Sequence, residues 1–463
     1  MLFNSFQFVW FLPFIVILYY AIKPKYRWTL LLAASYYFYM CWRVEYVVLI
    51  LGSTLLDYWA ALQMESKKTQ KERRKFLALS LAGNLGLLFA FKYFDFFLYN
   101  TESLLGGFNI FYDSPAMTVL LPMGISFYTF QTLSYTLDVY KGRAKAEKHL
   151  GYFALYVTYF PQLVAGPIER SSRLIPQLRK PTQASSEDIR YGINKILLGY
   201  FKKVVVADNI GVFCDQMFAN PVHGSGLLYA VTVLLFVAQL FADFSGYTDI
   251  AIGSARLMGV KLMENFKRPF WSSNMSEFWA KWHISLTSWI GDYIFKPLLF
   301  KRPKLGNFYT LFVMTLVGFW HGASWNFIAF GLLHGLIIVS QRYYKKIKLF
   351  KSFNKSSTGK HFFIFWNFIL LMITGVFFRN DFQSALLILK HIALDIRPIL
   401  ADLRSAYQTE MMLSMLVGTL LIATAAFNKE LKFKYNSLYI SGMLTLIFMF
   451  GVDGQNQFIY FQF

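Results

Sequence analysis

Apolar residues occur along this chain in long runs that short polar segments interrupt. A helix needs about 20 apolar residues to cross a hydrocarbon core of about 30 Å. The runs that approach this length are 6–22, 28–43, 44–62, 76–98, 115–140, 226–244, 361–379, 409–427 and 436–452. Weaker pairs are 150–166 with 190–206, and 307–320 with 323–340. The pattern predicts an all-α, polytopic membrane protein of about twelve crossings, built as a single domain over residues 1–463.

Composition favours a membrane protein over a soluble one. Of the 463 residues, 56% are hydrophobic and 15% are charged, whereas soluble proteins average roughly 25% charged residues. The formal charge of +21 would suggest nucleic acid in a soluble chain. Here the basic residues form short clusters between apolar runs, so we expect contact with anionic membrane lipid and no nucleic-acid partner. The two cysteines, Cys41 and Cys214, exclude a cysteine-based zinc site and a disulfide scaffold.

The charge of the connecting segments predicts the orientation of the chain. Lys and Arg cluster at 23–27, 67–75, 141–148, 256–304, 341–360 and 429–434. Segments 101–114 and 208–226 contain neither residue. Basic loops tend to remain in the cytoplasm, so we expect both termini to be extracytoplasmic. The first apolar run lacks the basic leader and cleavage site of a signal peptide, and we expect it to be the first span.

Parity constrains the chain between 141–148, predicted inside, and 208–226, predicted as an outside loop. An odd number of crossings must join them, yet two apolar segments lie between. One segment is therefore expected to re-enter the membrane or to follow its interface. Region 160–180 is favoured for that role because it contains three prolines, and proline interrupts helices.

The stretch GFWHGASWNFIAFGLLHG (318–335) places His321 and His334 inside an apolar region. The hairpin 307–340 must leave the cytoplasm and return, and each half reaches only about 20–25 Å. Its turn near residues 320–322 is therefore expected below the outer surface, facing protein or a cavity. Glycines that permit close approach of the two helices are Gly318, Gly322, Gly331 and Gly335.

Two readings of these histidines remain open. Ionisable groups inside a membrane are usually functional, which favours a functional His321. The alternative is a histidine that only bridges helices through hydrogen bonds. His334, which we place near the inner end of its helix, fits both readings equally.

A second polar cluster occupies 265–298, where four tryptophans accompany Glu277, Lys281, His283 and Asp292. Tryptophan is typical of membrane interfaces, so the segment is predicted to contain an amphipathic, partly inserted helix. Ser276, with Glu277 in the first turn, is a possible helix start. Whether His283 also reaches a reaction centre is left open by spacing.

Carboxylates in DFSGYTDIAIGSARLMG (243–259) offer another candidate site. Asp243 and Asp249 could act as an acid/base pair, but a spacing of six fits one helical face poorly. Asp249 and Arg256 share a face, and an ion pair between them is the favoured interpretation. Other polar residues within apolar runs are Asp57, Asn84, Lys92, Gln131, Asp138 and Gln239.

Several stretches together resemble the bacterial alginate O-acetylation branch of the membrane-bound O-acyltransferase (MBOAT) superfamily. They are WHGASWNFIAFGLLHG (320–335), PQLVAGPIER (161–170), 243–259, NFKRPFWSSNMSEFWAKWHISLTSWIGDYIF (265–295) and the closing FIYFQF. The resemblance runs from about residue 115 to the end. It implies a ring of helices around a thin centre with a funnel or tunnel. The family's essential histidine falls on His321 and its second motif position on His283.

The resemblance also implies a reaction. An acyl group moves from a cytoplasmic thioester, acetyl-CoA, to an acceptor outside, with no permanently bound cofactor and no metal. Neutral imidazole suits His321 as general base near pH 7, or as covalent acyl carrier. Donors for the developing oxyanion are Asn326, Trp325 or amides at the Gly322 turn. Candidate substrate-binding residues are Trp320, Trp325, Asn326 and His334.

The implied setting is the bacterial inner membrane. A periplasmic SGNH-hydrolase-type acetyltransferase is the expected partner, and an alginate-like polysaccharide is the expected acceptor. Cellulose, peptidoglycan and other exopolysaccharides are also compatible acceptors, with teichoic-acid D-alanylation a more distant activity. A non-catalytic transporter or flippase of an acyl carrier or glycan precursor is the alternative, because midplane polar residues suit it too. A scaffold for a glycan-secretion complex is a weaker third hypothesis.

Overall fold

The computed structural model describes residues 1–108, 121–164, 166–180, 183–219, 224–344, 346–397, 436–452 and 458–459. Throughout these ranges every regular element is helical, which confirms the predicted all-α class. The predicted span 409–427 and the basic segment 429–434 lie outside the described residues, as does part of 115–140. The chain divides into two compact units. Unit 1 is Met1–Ile193 with Ala251–Met263, and unit 2 is Asn194–Ile250 with Glu264–Phe463.

Most helices of unit 1 lie in the predicted apolar runs, whereas Ser171–Arg179 lies outside them. The helices of unit 1 are α1 (Phe6–Ala21), α2 (Arg27–Met40), α3 (Val47–Ser66), α4 (Gln70–Leu88), α5 (Phe94–Gly106), α6 (Ile125–Tyr140), α7 (Leu150–Thr158), α8 (Phe160–Leu163) and α9 (Ser171–Arg179). Helices α3, α4 and α6 pack against one another. A π-helical segment, Phe89–Tyr93, joins α4 to α5. The capping box of Thr69 and Glu72 begins α4, since it satisfies amides that lack partners within the helix.

A buried hydrogen-bond network connects α3 to α4. The Asp57 carboxylate accepts from the Ser80 hydroxyl and from the Asn84 amide. Ser53 on α3 donates to Asn84 Oδ1 at 2.6 Å. Buried polar groups need such partners, and the network accounts for two of the polar residues that interrupt the apolar runs.

The apolar run 150–166 is divided between two short helices. Helix α7 has 9 residues and α8 has 4. At 1.5 Å per residue, α7 is about 14 Å long, well short of a hydrocarbon core of about 30 Å. Neither helix can cross a bilayer alone, as expected for a segment that re-enters or follows the interface.

Helix α10 (Ser186–Tyr200) starts in unit 1 and continues into unit 2. A π-helical segment, Phe201–Ala207, leads directly into α11 (Asp208–Ala219). Most of the segment 208–226, expected as an outside loop, is therefore helical, and its place outside the membrane stays a prediction. Asp208 at its start is buried and forms an ion pair with Lys203 at 2.8 Å.

The remaining helices belong largely to unit 2. They are α12 (Gly226–Leu257), α13 (Met275–Lys281), α14 (Ile284–Ile290), α15 (Lys296–Lys301), α16 (Gly306–His321), α17 (Trp325–Tyr344), α18 (Lys348–Lys355), α19 (Ser357–Arg379), α20 (Phe382–Leu394) and α21 (Asn436–Phe450). Helix α13 begins one residue before the predicted start at Ser276, because Asn274 is its N-cap and accepts from the Glu277 amide. Helix α16 packs along α17.

Within the described ranges, four helical segments are long and apolar enough to cross a membrane. They are Val44–Ser66, Gln70–Gly106, Gly226–Leu257 and Ser357–Arg379. Shorter apolar helices are Phe6–Ala21, Phe382–Leu394 and Ser437–Phe450. The number of about twelve crossings and the single domain stay predictions of the sequence.

The predicted ion pair between Asp249 and Arg256 was wrong. Asp249 pairs with Lys195 at 2.8 Å and with Lys202 at 2.6 Å. Arg256 instead pairs with Asp188 at 2.9 Å. The partners of Asp249 thus come from α10 and from the π-helical segment. Residue spacing along α12 cannot show which partners other elements provide.

Candidate active site

The hairpin that carries two of the predicted histidines has its turn where expected. His321 is the last residue of α16, and Gly322 follows in an extended conformation. Helix α17 starts at Trp325 and runs for 20 residues. His334 therefore lies in the middle of α17, which corrects its predicted place near the inner end. The reason is that α17 continues through residues 341–344, which the sequence prediction had placed in the following basic segment.

Glycines bring the two helices of this hairpin into backbone contact. A Cβ at Gly318 would lie 2.8 Å from the Cα of Gly331, and one at Gly331 would lie 3.0 Å from the Cα of Gly318. Real Cβ atoms do not approach this closely, so only glycine fits at both positions. The predicted close approach is confirmed, and it determines where His321 and His334 sit relative to each other.

His321 lies in an aromatic environment and is only 4% exposed. Its ring centroid is 4.8 Å from that of Trp320, 5.2 Å from that of Phe378 and 6.2 Å from that of Phe330. Phe378 comes from α19, so three helices of unit 2 enclose the imidazole.

His283 is fully buried and precedes α14 with a positive φ of 45°. Its Nδ1 lies 3.2 Å from Oδ1 of Asn265. That atom of Asn265 also accepts from the backbone N–H of Ser285 at 3.1 Å, which identifies it as the amide oxygen. His283 Nδ1 must then carry the proton and donate, so the lone pair of the neutral ring resides on Nε2. This is the tautomer of an imidazole that can accept a proton at Nε2.

His334 adopts the opposite tautomer. The indole Nε1–H of Trp279 donates to His334 Nδ1 at 3.2 Å, and an indole nitrogen can only donate. The lone pair of neutral His334 is therefore occupied, and its proton is on Nε2. In this arrangement Nε2 carries the proton in neutral His334 and the lone pair in neutral His283.

Aromatic rings connect the three histidines into one buried cluster in unit 2. Trp320 lies 6.1 Å from His283 and 4.8 Å from His321, between ring centroids. Phe330 lies 6.2 Å from His321 and 4.4 Å from His334. The structure thus places Trp320 next to both His283 and His321, a connection that their separation of 38 positions left open. We call these five residues the histidine cluster.

Two other predicted site residues lie at the start of α17. The side chain of Trp325 is 59% exposed, unlike the buried Trp320. Asn326 accepts from the Ser324 hydroxyl and donates to the carbonyl of Phe377 at 3.0 Å. Its amide thereby ties the hairpin turn to the end of α19. That contact supports a structural role for Asn326 at least as well as the predicted oxyanion role.

The C-terminal segment packs close to His283. Phe458 stacks on Tyr247 at 4.8 Å and contacts Phe244 at 5.5 Å, and Phe244 lies 4.7 Å from His283. The backbone N–H of Ile459 donates to Asp243 at 2.8 Å. These contacts give a physical role to the start of the closing FIYFQF stretch.

Asp243 is one of two carboxylates around a buried lysine. Lys203 lies 2.8 Å from Asp243 and 2.8 Å from Asp208. Asp243 is thus satisfied by an ion pair and does not form an acid/base pair with Asp249.

Sequence reasoning missed Asn265 and Trp279 as partners of the histidines. Both lie in the polar segment 265–298, and only the three-dimensional contacts single them out. Lys203 was also missed, although lysines inside the predicted apolar run 190–206 were a visible anomaly, since buried lysines require a partner.

Comparison with known proteins agrees with this geometry. Residues 147–379 match the model of the MBOAT, membrane-bound O-acyltransferase family, and this range contains His283, His321 and His334. The chain belongs to this family. Membership confirms the resemblance on which the sequence interpretation drew. It also establishes this MBOAT protein as a membrane-bound O-acyltransferase.

Curated relatives of this MBOAT protein act on polymers. "Probable alginate O-acetylase AlgI" of Pseudomonas putida is 39% identical over 345 residues, which are 73% of this chain and 70% of the relative. The peptidoglycan O-acetyltransferase of Helicobacter pylori is 35% identical, with 82% of this chain and 76% of the relative covered. The teichoic acid D-alanyltransferase of Bacillus subtilis is 29% identical, with 50% and 62% covered.

Proposed function

We propose that this protein takes an acetyl group from cytoplasmic acetyl-CoA and delivers it through the inner membrane for O-acetylation of an extracytoplasmic, alginate-like polysaccharide. The observation that carries the proposal is the histidine cluster, in which His321 and His283 share one buried aromatic environment. The names of the relatives add support, because alginate, peptidoglycan and teichoic acid are all polymers with acceptor groups for acyl transfer. A periplasmic SGNH-hydrolase-type partner completes the transfer to the polysaccharide.

The chemistry assigns a proton carrier to the site. A hydroxyl oxygen attacks the thioester carbonyl, an O–C bond forms, and the C–S bond breaks. The hydroxyl proton passes to imidazole and then to the departing thiolate. His321 is the general base in this scheme, and attack by His321 itself would make it a covalent acyl carrier. His283 Nε2, on the other side of the Trp320 contact, provides a second lone pair for proton transfer.

Replacing His321 with Ala tests the proposal. We expect extracellular acetylation to be lost while the protein still inserts and accumulates, because acid–base catalysis contributes about 10²- to 10⁴-fold. Acetyl content of the secreted polysaccharide is measured, with immunoblotting of membranes for abundance. The matched control is His361→Ala, which changes an exposed histidine of α19. Normal acetylation by the His321 variant would refute the catalytic role.

Radiolabelled acetyl-CoA separates the enzyme from a transporter. The purified protein should cleave the thioester, or become labelled on His321 if a covalent intermediate forms. Binding without bond cleavage, even with partner and acceptor supplied, would instead support the transporter or flippase hypothesis.

Analysis of glycans from a deletion strain identifies the acceptor polymer.

Orientation is proposed from charge, with basic segments in the cytoplasm and both termini outside. Single cysteines introduced at Lys68 and at Glu102 should report opposite sides of the membrane to an impermeant thiol reagent. Labelling of Lys68→Cys from outside in intact cells would overturn the assignment.

A further inference from the structure

Unit 1 contains a cavity remote in sequence from the histidine cluster. Its volume is about 540 Å³, and it lies between the basic loop 143–148 and helix α9. Pockets that bind small molecules typically measure about 300–1,000 Å³. The cavity therefore has room for a lipid headgroup or a nucleotide, and its lining decides which chemistry it accepts.

The lining is rich in cations. It includes Arg143, Lys145, Lys148 and Arg179, together with Glu65 and Glu147. Arg179 forms an ion pair with Glu147. The Arg179 Nη2 lies 2.6 and 2.5 Å from the two carboxylate oxygens of Glu147. The other three cations form no ion pair within the described part of the chain. Apart from the Arg179–Glu147 pair, the lining thus has three cations and one carboxylate, that of Glu65. Its net positive charge favours binding of an anion.

The loop that carries these cations is held in place. The backbone N–H of Glu147 donates to the Tyr135 hydroxyl at 2.9 Å, and the N–H of His149 donates to Glu147 Oε1 at 2.9 Å. The Tyr58 hydroxyl donates to the carbonyl of Lys148 at 2.6 Å. Because Glu147 is buried and anchored from several sides, the loop backbone is ordered before any ligand arrives, which lowers the entropic cost of binding.

Hydrogen-bond donors complete the lining. Ser171 and Ser172 face the cavity from the first turn of α9. The first amides of a helix have no acceptor within it, and the helix dipole favours negative charge there. Serine hydroxyls can donate to the same acceptor. Cations, hydroxyls and helix amides together match the oxygens of a phosphate.

We propose that this cavity binds a phosphate ester, with Arg143, Lys145 and Lys148 as its charge partners and the start of α9 as its hydrogen-bond donor. Two sources supply that chemistry: the headgroup of an anionic phospholipid and the phosphates of a soluble nucleotide thioester such as coenzyme A. The inference does not depend on the proposed acetyl transfer, since it concerns binding alone.

The test uses the full-length protein, purified in a non-ionic detergent without anionic lipid. One arm measures equilibrium binding of radiolabelled coenzyme A, with phosphate-free pantetheine as competitor. The other arm measures retention of phosphatidylglycerol against phosphatidylcholine by native mass spectrometry. The variant is Arg143→Gln, Lys145→Gln, Lys148→Gln. The matched control is Lys67→Gln, Lys68→Gln, Lys71→Gln, which removes three charges from unit 1 outside the cavity.

The cavity variant should bind at least one of the two ligands about 100-fold more weakly, at roughly fivefold for each cation removed. The control should bind like the wild type, and both should unfold at the wild-type temperature. Loss in the coenzyme A arm, without competition by pantetheine, identifies a nucleotide site, and loss in the lipid arm identifies a headgroup site. Binding of neither ligand by the wild type, or equal binding of both by the cavity variant, overturns the proposal.

Discussion

At the scale of single residues, hydrogen bonds differentiate histidines that look alike in the sequence. Asn265 fixes a proton on Nδ1 of His283, whereas Trp279 occupies the lone pair on Nδ1 of His334. The two neutral rings therefore carry opposite groups at Nε2, a lone pair in His283 and a proton in His334. A residue that fixes a tautomer without touching substrate is a positioning residue, and its loss should affect proton transfer more than binding.

Replacing Asn265 with Ala tests this. We expect kcat of the variant to be about tenfold lower and KM to change little. The loss is smaller than the 10²- to 10⁴-fold contribution of acid–base catalysis, because the imidazole itself remains. The pH profile of kcat should shift, because the proton on Nδ1 of His283 loses its acceptor. Asn367→Ala is the control, since it removes another buried amide of unit 2. An unchanged kcat and pH profile would show that the Asn265 contact has no part in proton transfer.

Lys203 gives a prediction about stability. It lies between Asp208 and Asp243, and all three side chains are buried. Lys203→Met leaves two buried carboxylates without their cation, and removing one partner of a buried pair costs about 3–5 kcal/mol. A lower unfolding temperature of the purified variant would agree. Lys296→Met, which breaks an exposed pair with Asp292, should change it little. Equal stability of both variants would contradict the burial argument.

At the scale of elements, the hairpin of α16 and α17 is a single packed unit. Its backbones touch at Gly318 and Gly331, and its turn separates His321 from α17 by only three residues. The position of His321 against Phe330 therefore follows from how closely these helices approach. A side chain inserted at the contact would separate them and displace the histidine.

Gly318→Val should accordingly reduce both thermal stability and acyltransfer. Overpacking typically costs about 1–3 kcal/mol, and misplacement of His321 adds a loss of kcat. Gly86→Ala is the matched control, because nothing lies within 4 Å of a Cβ at that position. It should leave both measurements unchanged. A fully active Gly318→Val protein would mean that the close approach is dispensable.

At the scale of the whole chain, residues far apart in sequence build one environment in unit 2. Phe458 is more than 200 positions from Phe244, yet the two rings are in contact, and Phe244 contacts His283. Ile459 is hydrogen-bonded to Asp243. Phe458 thus packs against Phe244, the residue that contacts His283 of the histidine cluster.

Phe458→Ala should therefore impair a site that it does not touch. Truncating a buried aromatic residue costs about 3–5 kcal/mol, and we expect a lower unfolding temperature together with reduced kcat. Phe458→Leu, which retains most of the apolar volume, should recover much of both. The result that would count against this prediction is an alanine variant with wild-type kcat.

Prediction from sequence succeeded where the physics is local. The turn after His321 and the glycine contacts follow from spacing, helix rise and the properties of glycine. Prediction failed where a partner comes from another element. Arg256 was assigned to Asp249, whereas it pairs with Asp188, because spacing along one helix cannot show which residues a neighbouring helix presents.

By itself, the sequence determined that this is a helical membrane protein, since burial of apolar runs in lipid depends on their length and composition. It also determined that His321 lies at the turn of a short hairpin, since that depends on neighbours in the chain. Only the tertiary structure decided that His283 and His321 both lie next to Trp320, on which nitrogen His283 and His334 carry their protons, and which carboxylates pair with Lys203. Hydrogen bonds and ion pairs depend on distances of about 3 Å between atoms, and packing of distant helices sets those distances.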